Sequence, residues 1–136
     1  MKYLVTGGAG FIGSHITKAL VKRGDSVIVL DNLITGKEDN LELVKEKIEF
    51  VRNDILNFEL LDELTRSVNG VFHQAALASV QDSYNKPEKY FDVNVKGTEN
   101  ILKLAKKNNF KEYYVCTNPD RKSFLKLIKF INQKLF

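Results

Sequence analysis

The sequence predicts an α/β domain built on a doubly wound parallel sheet of about five strands. Short apolar runs typical of strands alternate along the chain with segments whose apolar residues recur at helical spacing. The strand-like runs are almost continuously apolar, which is typical of strands buried on both faces of a parallel sheet. No repeat or low-complexity stretch interrupts this alternation. Together these observations favour one sheet with helices on both sides.

The individual elements follow from local patterns. Lys2–Thr6 is an apolar run that ends in a glycine cluster, and residues 10–23 carry one apolar stripe at helical spacing before a Gly-Asp stop. Residues 26–30 are rich in β-branched side chains and predict the second strand. The remaining predictions are a helix at 39–47, a strand at 48–52, a helix at 57–68, an apolar run at 70–76, a long helix at 87–107 with Pro87 in its first turn, and a fifth strand at 112–116.

Composition and charge narrow the class of protein. The chain has 136 residues, the length of one compact domain, and its 43% hydrophobic and 28% charged residues are typical of a folded globular protein. The net charge of +4 comes from residues 120–136, while residues 1–119 carry equal numbers of basic and acidic groups. The body of the domain therefore lacks the basic excess that nucleic-acid binding requires, and we expect no nucleic-acid partner.

Membrane and redox signals are absent from the sequence pattern. No apolar run approaches the ~20 residues of a bilayer span, and glycines interrupt the N-terminal apolar stretch where the core of a signal peptide would lie. The single cysteine, Cys116, leaves no internal disulfide and no multi-cysteine metal site. These features predict a cytoplasmic protein with no transmembrane segment and no metal site.

A glycine pattern joins the first strand directly to the first helix. Gly7, Gly10 and Gly13 form G-x-x-G-x-x-G in the strand–turn–helix context that dinucleotide binding requires. The first glycine permits a tight turn, the second lets the backbone approach a pyrophosphate, and the third lets the helix pack closely on the strand. The amides at the start of the helix can then hold phosphates without a basic side chain. A purely structural turn is the alternative.

Asp31 supports the dinucleotide interpretation. It stands at the end of the second strand, 24 residues after Gly7. A carboxylate at that place accepts hydrogen bonds from the adenosine ribose hydroxyls and repels a 2′-phosphate. The sequence therefore predicts NAD, rather than NADP, as the cofactor.

Five segments carry a family resemblance, in the family's order and spacing: TGGAGFIGSH (6–15), VLDNLITG (29–36), NDI (53–55), VFHQAALASV (71–80) and NVKGTENIL (94–102). In these segments the sequence resembles the extended short-chain dehydrogenases/reductases, the nucleotide-sugar epimerases and dehydratases. It is most similar to UDP-hexose and UDP-N-acetylhexosamine 4-epimerases, although related dehydratases and decarboxylases share much of the pattern. The resemblance implies an incomplete Rossmann-like domain at residues 1–117, NAD as cofactor and a nucleotide-sugar substrate, with a homo-oligomer or a completing partner chain left open.

The resemblance also implies roles for particular residues. Ala78 departs from the lysine that some 4-epimerases carry at that position, and Ser79 and Val80 would border the sugar nucleotide. The implied cofactor contacts are the backbone amides of Phe11 and Ile12 at the pyrophosphate, Asp31 and Asn32 at the adenosine ribose, Asp54 and Ile55 at the adenine, Gln74, Ala75 and Ala76 along the cofactor, and Asn94 near the nicotinamide.

Several of these residues have simpler interpretations. Asp54 could cap the following helix, and Asn94 could be a solvated helix residue. His15 and His73 are expected to pack or to form hydrogen bonds, because two isolated histidines do not make a metal site. The tyrosines other than Tyr3 are expected to be ordinary core or surface aromatics, namely Tyr84, Tyr90, Tyr113 and Tyr114.

The catalytic pair of the family has no match in this sequence. Hydride transfer in the family depends on a Tyr-x-x-x-Lys pair on a later helix, and none of the five tyrosines is followed by lysine four positions later. We therefore assign no catalytic residue and expect about half a family member, inactive alone. A non-catalytic dinucleotide-binding module and an inert fragment are the alternatives.

The pattern changes after Cys116. Thr117 could take the place of the family's serine, but Asn118-Pro119 does not resemble the family and instead suggests a helix start. Residues 118–136 then predict a basic amphipathic helix that covers the sheet edge, forms a sticky non-native end, or binds a membrane or partner. We expect that this end arose by truncation or a frame change. The apolar face of the predicted helix consists of Phe124, Leu127, Ile128, Ile131 and Leu135.

Overall fold

A computed structural model describes residues 1–115, so Cys116, Thr117 and the predicted helix of residues 118–136 lie outside the described residues. Five parallel strands form one sheet in the order β3-β2-β1-β4-β5. The strands are β1 (Lys2–Thr6), β2 (Ser26–Asp31), β3 (Ile48–Arg52), β4 (Gly70–His73) and β5 (Glu112–Val115).

The connections between the strands are helical. A 3₁₀ helix, Glu38–Lys47, precedes β3, and a π-helical turn, Asp92–Lys96, lies between two α-helices without an interruption of the helical path. The α-helices are α1 (Phe11–Lys22), α2 (Phe58–Thr65), α3 (Val80–Asn85), α4 (Pro87–Phe91) and α5 (Gly97–Asn108).

Alternate residues of the central strands enter two separate cores. Tyr3 and Val5 of β1 face α1 and the 3₁₀ helix, whereas Leu4 faces α2 and α5. All three side chains are fully buried. Since both faces of the sheet are covered, the predicted doubly wound, Rossmann-like arrangement is confirmed.

The predicted helix boundaries differ from the observed ones at several places. The helix predicted at 57–68 is shorter, because Asn57 is its N-cap, accepting a hydrogen bond from the amide of Leu60, and it ends at Thr65. The apolar run at 70–76 forms a strand only as far as His73, and α3 was not predicted. The long helix predicted at 87–107 is divided by the π-helical turn. Within residues 1–115, no helix is both long enough and apolar enough to cross a bilayer.

Candidate functional site

A cleft opens at the carboxyl ends of the strands. It lies where the strand order changes direction, with β1 paired to β2 on one side and to β4 on the other. Open parallel sheets bind ligands at this topological switch point. The cleft is lined by Gly7, Gly10, Leu30, Asp31, Asn32, Ile34, Thr35, Asn53, Ile55, Gln74, Ala75, Ala76, Leu77 and Val93.

Two glycines of the turn, Gly7 and Gly10, line the cleft. Gly7 has a φ of +65°, which residues with a side chain rarely adopt, and a Cβ there would lie 2.7 Å from the amide nitrogen of Ala75. A Cβ on Gly13 would overlap the carbonyl oxygen of Gly7. The turn therefore requires glycine at both positions, because the chain folds back on itself and α1 packs directly against it.

The amino end of α1 points its backbone at the cleft. Gly10 is the N-cap and provides no side-chain cap, and the first turn of the helix contains no acidic residue. The amides at a helix start have no partner within the helix, so those of Phe11 and Ile12 are left for a ligand. The helix dipole makes this end a favourable place for a phosphate.

The carboxylate of Asp31 ties two loops together. The amide of Ala9, in the middle of the glycine turn, donates to Oδ2 of Asp31 at 2.9 Å, and the amide of Leu33 donates to Oδ1 at 2.8 Å. The residue is buried, with 7% of its surface exposed, yet it lines the cleft. Each carboxylate oxygen has a second lone pair, so Asp31 can hold the turn and still accept from a ligand hydroxyl.

The carbonyl group of Ala9 is held as well. It accepts from the backbone amide of Lys37 at 3.0 Å and from Nδ2 of Asn40 at 2.8 Å. Together with the contact to Asp31, these hydrogen bonds fix Ala9 through both its backbone N–H and its C=O. Asn40 was not singled out from the sequence, because nothing in its local pattern connects the 3₁₀ helix to a turn about 30 residues earlier.

Asn32 and Asp54 form a second polar contact beside the cleft. Nδ2 of Asn32 donates to Oδ2 of Asp54 at 2.8 Å, and Oδ1 of Asp54 accepts from the amide of Leu56 at 2.9 Å. Asp54 therefore shapes the turn before α2, while the helix cap itself is Asn57. This contact joins the loops that follow β2 and β3.

Ile55 is the apolar wall next to this contact. It is 4% exposed, lines the cleft, and packs so closely on Gly97 that a Cβ there would overlap its Cδ1. Nδ2 of Asn100 donates to its carbonyl oxygen at 3.2 Å. The start of α5 therefore fixes this wall from behind.

The opposite wall is formed by Gln74, Ala75 and Ala76, directly after β4. The amide of Gln74 donates to the carbonyl of Thr6 at 3.0 Å, which continues the β1–β4 pairing beyond the strands. Nε2 of Gln74 is buried and has no hydrogen-bond partner among residues 1–115. A buried donor without a partner is costly, so this amide is available to a ligand acceptor.

Asn94 holds the end of this wall. Its Oδ1 accepts from the amide of Leu77 at 2.8 Å, and its Nδ2 donates to the carbonyl of Leu77 at 2.9 Å. The alternative of a solvated helix residue is therefore wrong, since both ends of the side-chain amide are bound. Asn94 does not line the cleft and lies in the π-helical turn, a feature found often at functional sites.

Within residues 1–115 both histidines make hydrogen bonds to protein groups. Nδ1 of His15 donates to the carbonyl of Phe11 at 2.7 Å, while His73 is 3% exposed and bonded through both ring nitrogens. Burial lowers the pKa of His73 to about 4. Residues 1–115 contain no group of three or more His, Cys, Asp or Glu side chains able to hold a metal ion.

Ser79 and Val80 lie at the start of α3, beyond the wall. Oγ of Ser79 caps that helix by accepting from the amide of Asp82 at 3.2 Å, and Val80 is exposed.

Of the residues predicted from the sequence, the structure brings Gly7, Gly10, Asp31, Asn32, Ile55, Gln74, Ala75 and Ala76 together along the cleft. Phe11, Ile12 and Gly13 start the adjoining helix, and Asp54 and Asn94 act on lining residues. Other lining residues were missed, although most belong to the quoted segments or their neighbours at strand ends. They are Leu30, Ile34, Thr35, Asn53, Leu77 and Val93.

The sequence model of the NAD dependent epimerase/dehydratase family matches residues 3–118. This match covers β1 from Tyr3 onwards, the other four strands, the glycine turn and all the residues that line the cleft. The chain therefore belongs to the NAD dependent epimerase/dehydratase family.

Similar proteins act on nucleotide sugars. The chain is 42% identical over 113 residues to a UDP-glucose 4-epimerase of Lactobacillus helveticus, which covers 82% of this chain and 33% of that protein. It is 38% identical over 115 residues to a UDP-N-acetyl-alpha-D-glucosaminuronate decarboxylase of Bacillus cytotoxicus, covering 85% and 36%. Among solved structures, it resembles the NAD complex of Thermus thermophilus UDP-glucose 4-epimerase, with a TM-score of 0.75 and 43% identity over 83% of this chain and 36% of that one.

The chain thus spans about a third of the length of these relatives. Their names differ in reaction, an epimerase in two cases and a decarboxylase in one. Similarity to this chain therefore does not distinguish these reactions.

Proposed function

We propose that this chain binds NAD in the cleft and is the NAD-binding portion of a nucleotide-sugar epimerase or dehydratase. The observation that carries the proposal is the glycine turn held against Asp31. The start of α1, with its free amides, and the buried carboxylate of Asp31 are linked through Ala9, whose amide donates to Asp31. This pairing supplies amides for a pyrophosphate and an acceptor for ribose hydroxyls within one site.

The residues of the cleft fit an adenine dinucleotide along its length. In the proposed arrangement the amides of Phe11 and Ile12 bind the pyrophosphate, and Asp31 with Asn32 binds the adenosine ribose. Asp54 accepts from the adenine amino group, and Ile55 packs on the ring. Gln74, Ala75 and Ala76 border the nicotinamide half, where the unpartnered Nε2 of Gln74 offers a donor. Asn94 acts from behind this wall through Leu77.

Bound NAD would supply reversible hydride acceptance in the family's reaction, which is 4-epimerisation of a UDP-sugar in the UDP-glucose 4-epimerases that this chain resembles. This chain's own residues bind and orient the dinucleotide. The buried carboxylate of Asp31 disfavours a 2′-phosphate, so we propose NAD rather than NADP.

We expect no turnover from this chain alone. None of its five tyrosines precedes a lysine by four positions, so the family's acid–base pair is missing from this sequence. General acid–base help is typically worth ~10²–10⁴-fold in rate. The chain would then need a completing partner, or act as a dinucleotide-binding module without catalysis.

Titration calorimetry of the purified chain with NAD, combined with an assay of UDP-hexose interconversion, tests the proposal. We expect NAD binding without turnover. Turnover would overturn the assigned inactivity and leave the NAD site standing. A folded chain that does not bind NAD would overturn the proposed function, and it would favour an inert fragment whose β5 edge lacks a partner strand within residues 1–115.

A further inference from the structure

A buried chain of hydrogen bonds crosses the sheet beneath the cleft. Thr6 and His73, the last residues of β1 and β4, are paired in register, and Oγ1 of Thr6 lies 2.7 Å from Nδ1 of His73. On the other side of the ring, Nε2 lies 3.0 Å from Oγ1 of Thr98 in α5. Thr6 and His73 are 0% and 3% exposed.

The position of each proton in this chain of hydrogen bonds follows from the groups that His73 and Thr98 contact. The hydroxyl of Thr98 donates its proton to the carbonyl of Asn94 at 2.7 Å, so it can only accept from His73. Nε2 of His73 therefore carries a hydrogen, and in the neutral ring Nδ1 is an acceptor. It follows that the hydroxyl of Thr6 donates to Nδ1.

The same hydroxyl oxygen of Thr6 also accepts hydrogen bonds from the cleft wall. The amides of Gln74 and Ala75 donate to Oγ1 of Thr6 at 3.2 and 3.3 Å. Ala75 in turn lies against Gly7, where even a single added carbon would meet its amide nitrogen at 2.7 Å. The direction of the Thr6 hydroxyl thus determines how the wall meets the glycine turn, and His73 sets that direction.

We propose that His73 is a positioning residue for the cofactor cleft: its Nε2–H tautomer orients the Thr6 hydroxyl, which holds the Ala75 wall against the glycine turn. The inference rests on the proposed NAD site, but the hydrogen-bond chain itself can be measured without a cofactor. His73 does not line the cleft and acts only through Thr6 and the wall.

Two substitutions of His73 separate positioning from packing. His73→Phe keeps the ring volume and removes both hydrogen bonds, whereas His73→Asn loses volume and keeps an acceptor for the Thr6 hydroxyl. We expect His73→Phe to weaken NAD binding about tenfold, which corresponds to the loss of one hydrogen bond at the upper end of the ordinary net range. His73→Asn should restore part of that loss. A packing role predicts the opposite order, and that order would overturn the proposal.

Thr6→Val and Thr98→Val each remove a hydroxyl from the chain of hydrogen bonds while keeping the shape of the side chain. They provide the test if the His73 variants do not fold. Thr6→Val should weaken NAD binding and shift the Ala75 amide signal in the NMR spectrum of the free protein. Thr98→Val should alter the His73 ring signals in the same spectrum. Thr65→Val is the matched control, because its buried hydroxyl bonds to Leu61 in α2 and not to the cleft. Its NAD affinity should equal that of the wild type.

Nitrogen NMR of the imidazole ring in the cofactor-free chain completes the test. We expect a protonated Nε2 and an unprotonated Nδ1 at pH 7. The Nδ1–H tautomer would overturn the proposal whether or not NAD binds. If the tautomer is as expected and NAD does not bind to the wild type, the proposed function fails while the hydrogen-bond chain stands.

Discussion

At the residue scale, Asp31 combines a structural and a binding task. Its two oxygens hold the amides of Ala9 and Leu33, so the carboxylate stabilises the turn that it faces. Hydrogen bonds to a charged group contribute about 1.5–3 kcal/mol each. The residue is therefore important for the shape of the cleft as well as for the proposed ribose contact.

Replacing Asp31 by alanine should separate NAD from NADP. We expect Asp31→Ala to weaken NAD binding at least about tenfold, because it removes the ribose acceptor and loosens the Ala9 peptide. NADP should lose less, since the repulsion of its 2′-phosphate is removed at the same time. Calorimetric titrations with both cofactors give the comparison, and Asp39→Ala, an exposed carboxylate in the 3₁₀ helix, is the control. An equal loss for both cofactors would refute the ribose role.

Thr17 shows the opposite situation, a buried polar atom without a task. It is 0% exposed in α1, and its Oγ1 has no hydrogen-bond partner among residues 1–115. We expect the shape-matched Thr17→Val to raise the free energy of unfolding by about 1 kcal/mol, since an unsatisfied buried hydroxyl is removed. Urea unfolding measures the change. Thr65→Val, which loses a satisfied hydroxyl, should lower stability instead, and a loss of stability in Thr17→Val would show a hidden partner.

At the element scale, the 3₁₀ helix after β2 shows how the sequence can indicate a helix but not its kind. Leu41 and Val44 are its buried residues, 2% and 8% exposed, and they are three positions apart. That spacing suits an α-helix, and it also suits a 3₁₀ helix, in which residues i and i+3 lie on one line. The choice between the two kinds of helix depends on tertiary contacts, and here the side chain of Asn40 donates a hydrogen bond to the carbonyl of Ala9.

Asn40 should therefore affect the cleft from outside it. Asn40→Leu removes the side-chain donor to the Ala9 carbonyl, and we expect about a three- to tenfold loss of NAD affinity with less than about 1 kcal/mol of stability lost. Calorimetry and urea unfolding measure the two quantities. Asn108→Leu is the matched control, because its amide bonds to Thr65 at 2.9 Å on the other side of the molecule. It should reduce stability and leave NAD affinity unchanged, and the same outcome for Asn40→Leu would contradict a role of the Asn40–Ala9 hydrogen bond in the cleft.

The π-helical turn is the second element whose form depends on its neighbours. It places Asn94 against Leu77 and is followed at once by Gly97, which packs on Ile55. One turn of helix thus supports both walls of the cleft. The apolar spacing of residues 87–107 shows no sign of the extra residue per turn, because a π turn changes the spacing by a single position.

At the scale of the whole molecule, acid should destabilise the fold in two steps. His73 is held neutral by burial, with its pKa lowered to about 4 from 6.5, and within residues 1–115 its ring nitrogens bond to the hydroxyls of Thr6 and Thr98. The unfolded chain then binds a proton that the folded one refuses, so stability falls as the pH drops below about 6.5. We expect a loss of about 2 kcal/mol at pH 5 relative to pH 7.

The second step belongs to Asp62, which joins α2 to α5. Lys107 and then Arg66 lower its pKa to about 2 from 3.8, through contacts of 2.8 and 2.6 Å. Its contribution is present above about 3.8 and is lost as the pH falls towards 2. Thermal unfolding against pH tests both groups: the curve for His73→Asn should lack the first step, and that for Asp62→Asn should lack the second. Unchanged pH profiles in these variants would contradict the assignments.

The sequence by itself determined the sheet, the glycine turn and most of the cleft. These follow from local rules: apolar periodicity indicates the strands and helices, and Gly7 and Gly13 mark a turn that only glycine can form. Asp31 could be placed because it ends a strand, and the carboxyl ends of parallel strands meet at one edge. Residues near each other in the chain carried these predictions.

Only the tertiary structure decided which side chains hold the cleft in shape. Asn40 on Ala9, Asn94 on Leu77, and His73 between Thr6 and Thr98 join residues 17 to 67 positions apart. Asn40 and Asn94 are polar side chains that would equally suit a solvated surface, and the sequence could not assign partners to the hydrogen bonds expected of His73. Their partners become neighbours only when the sheet brings the strand ends together, because a hydrogen bond depends on distance in space and leaves no period in the sequence.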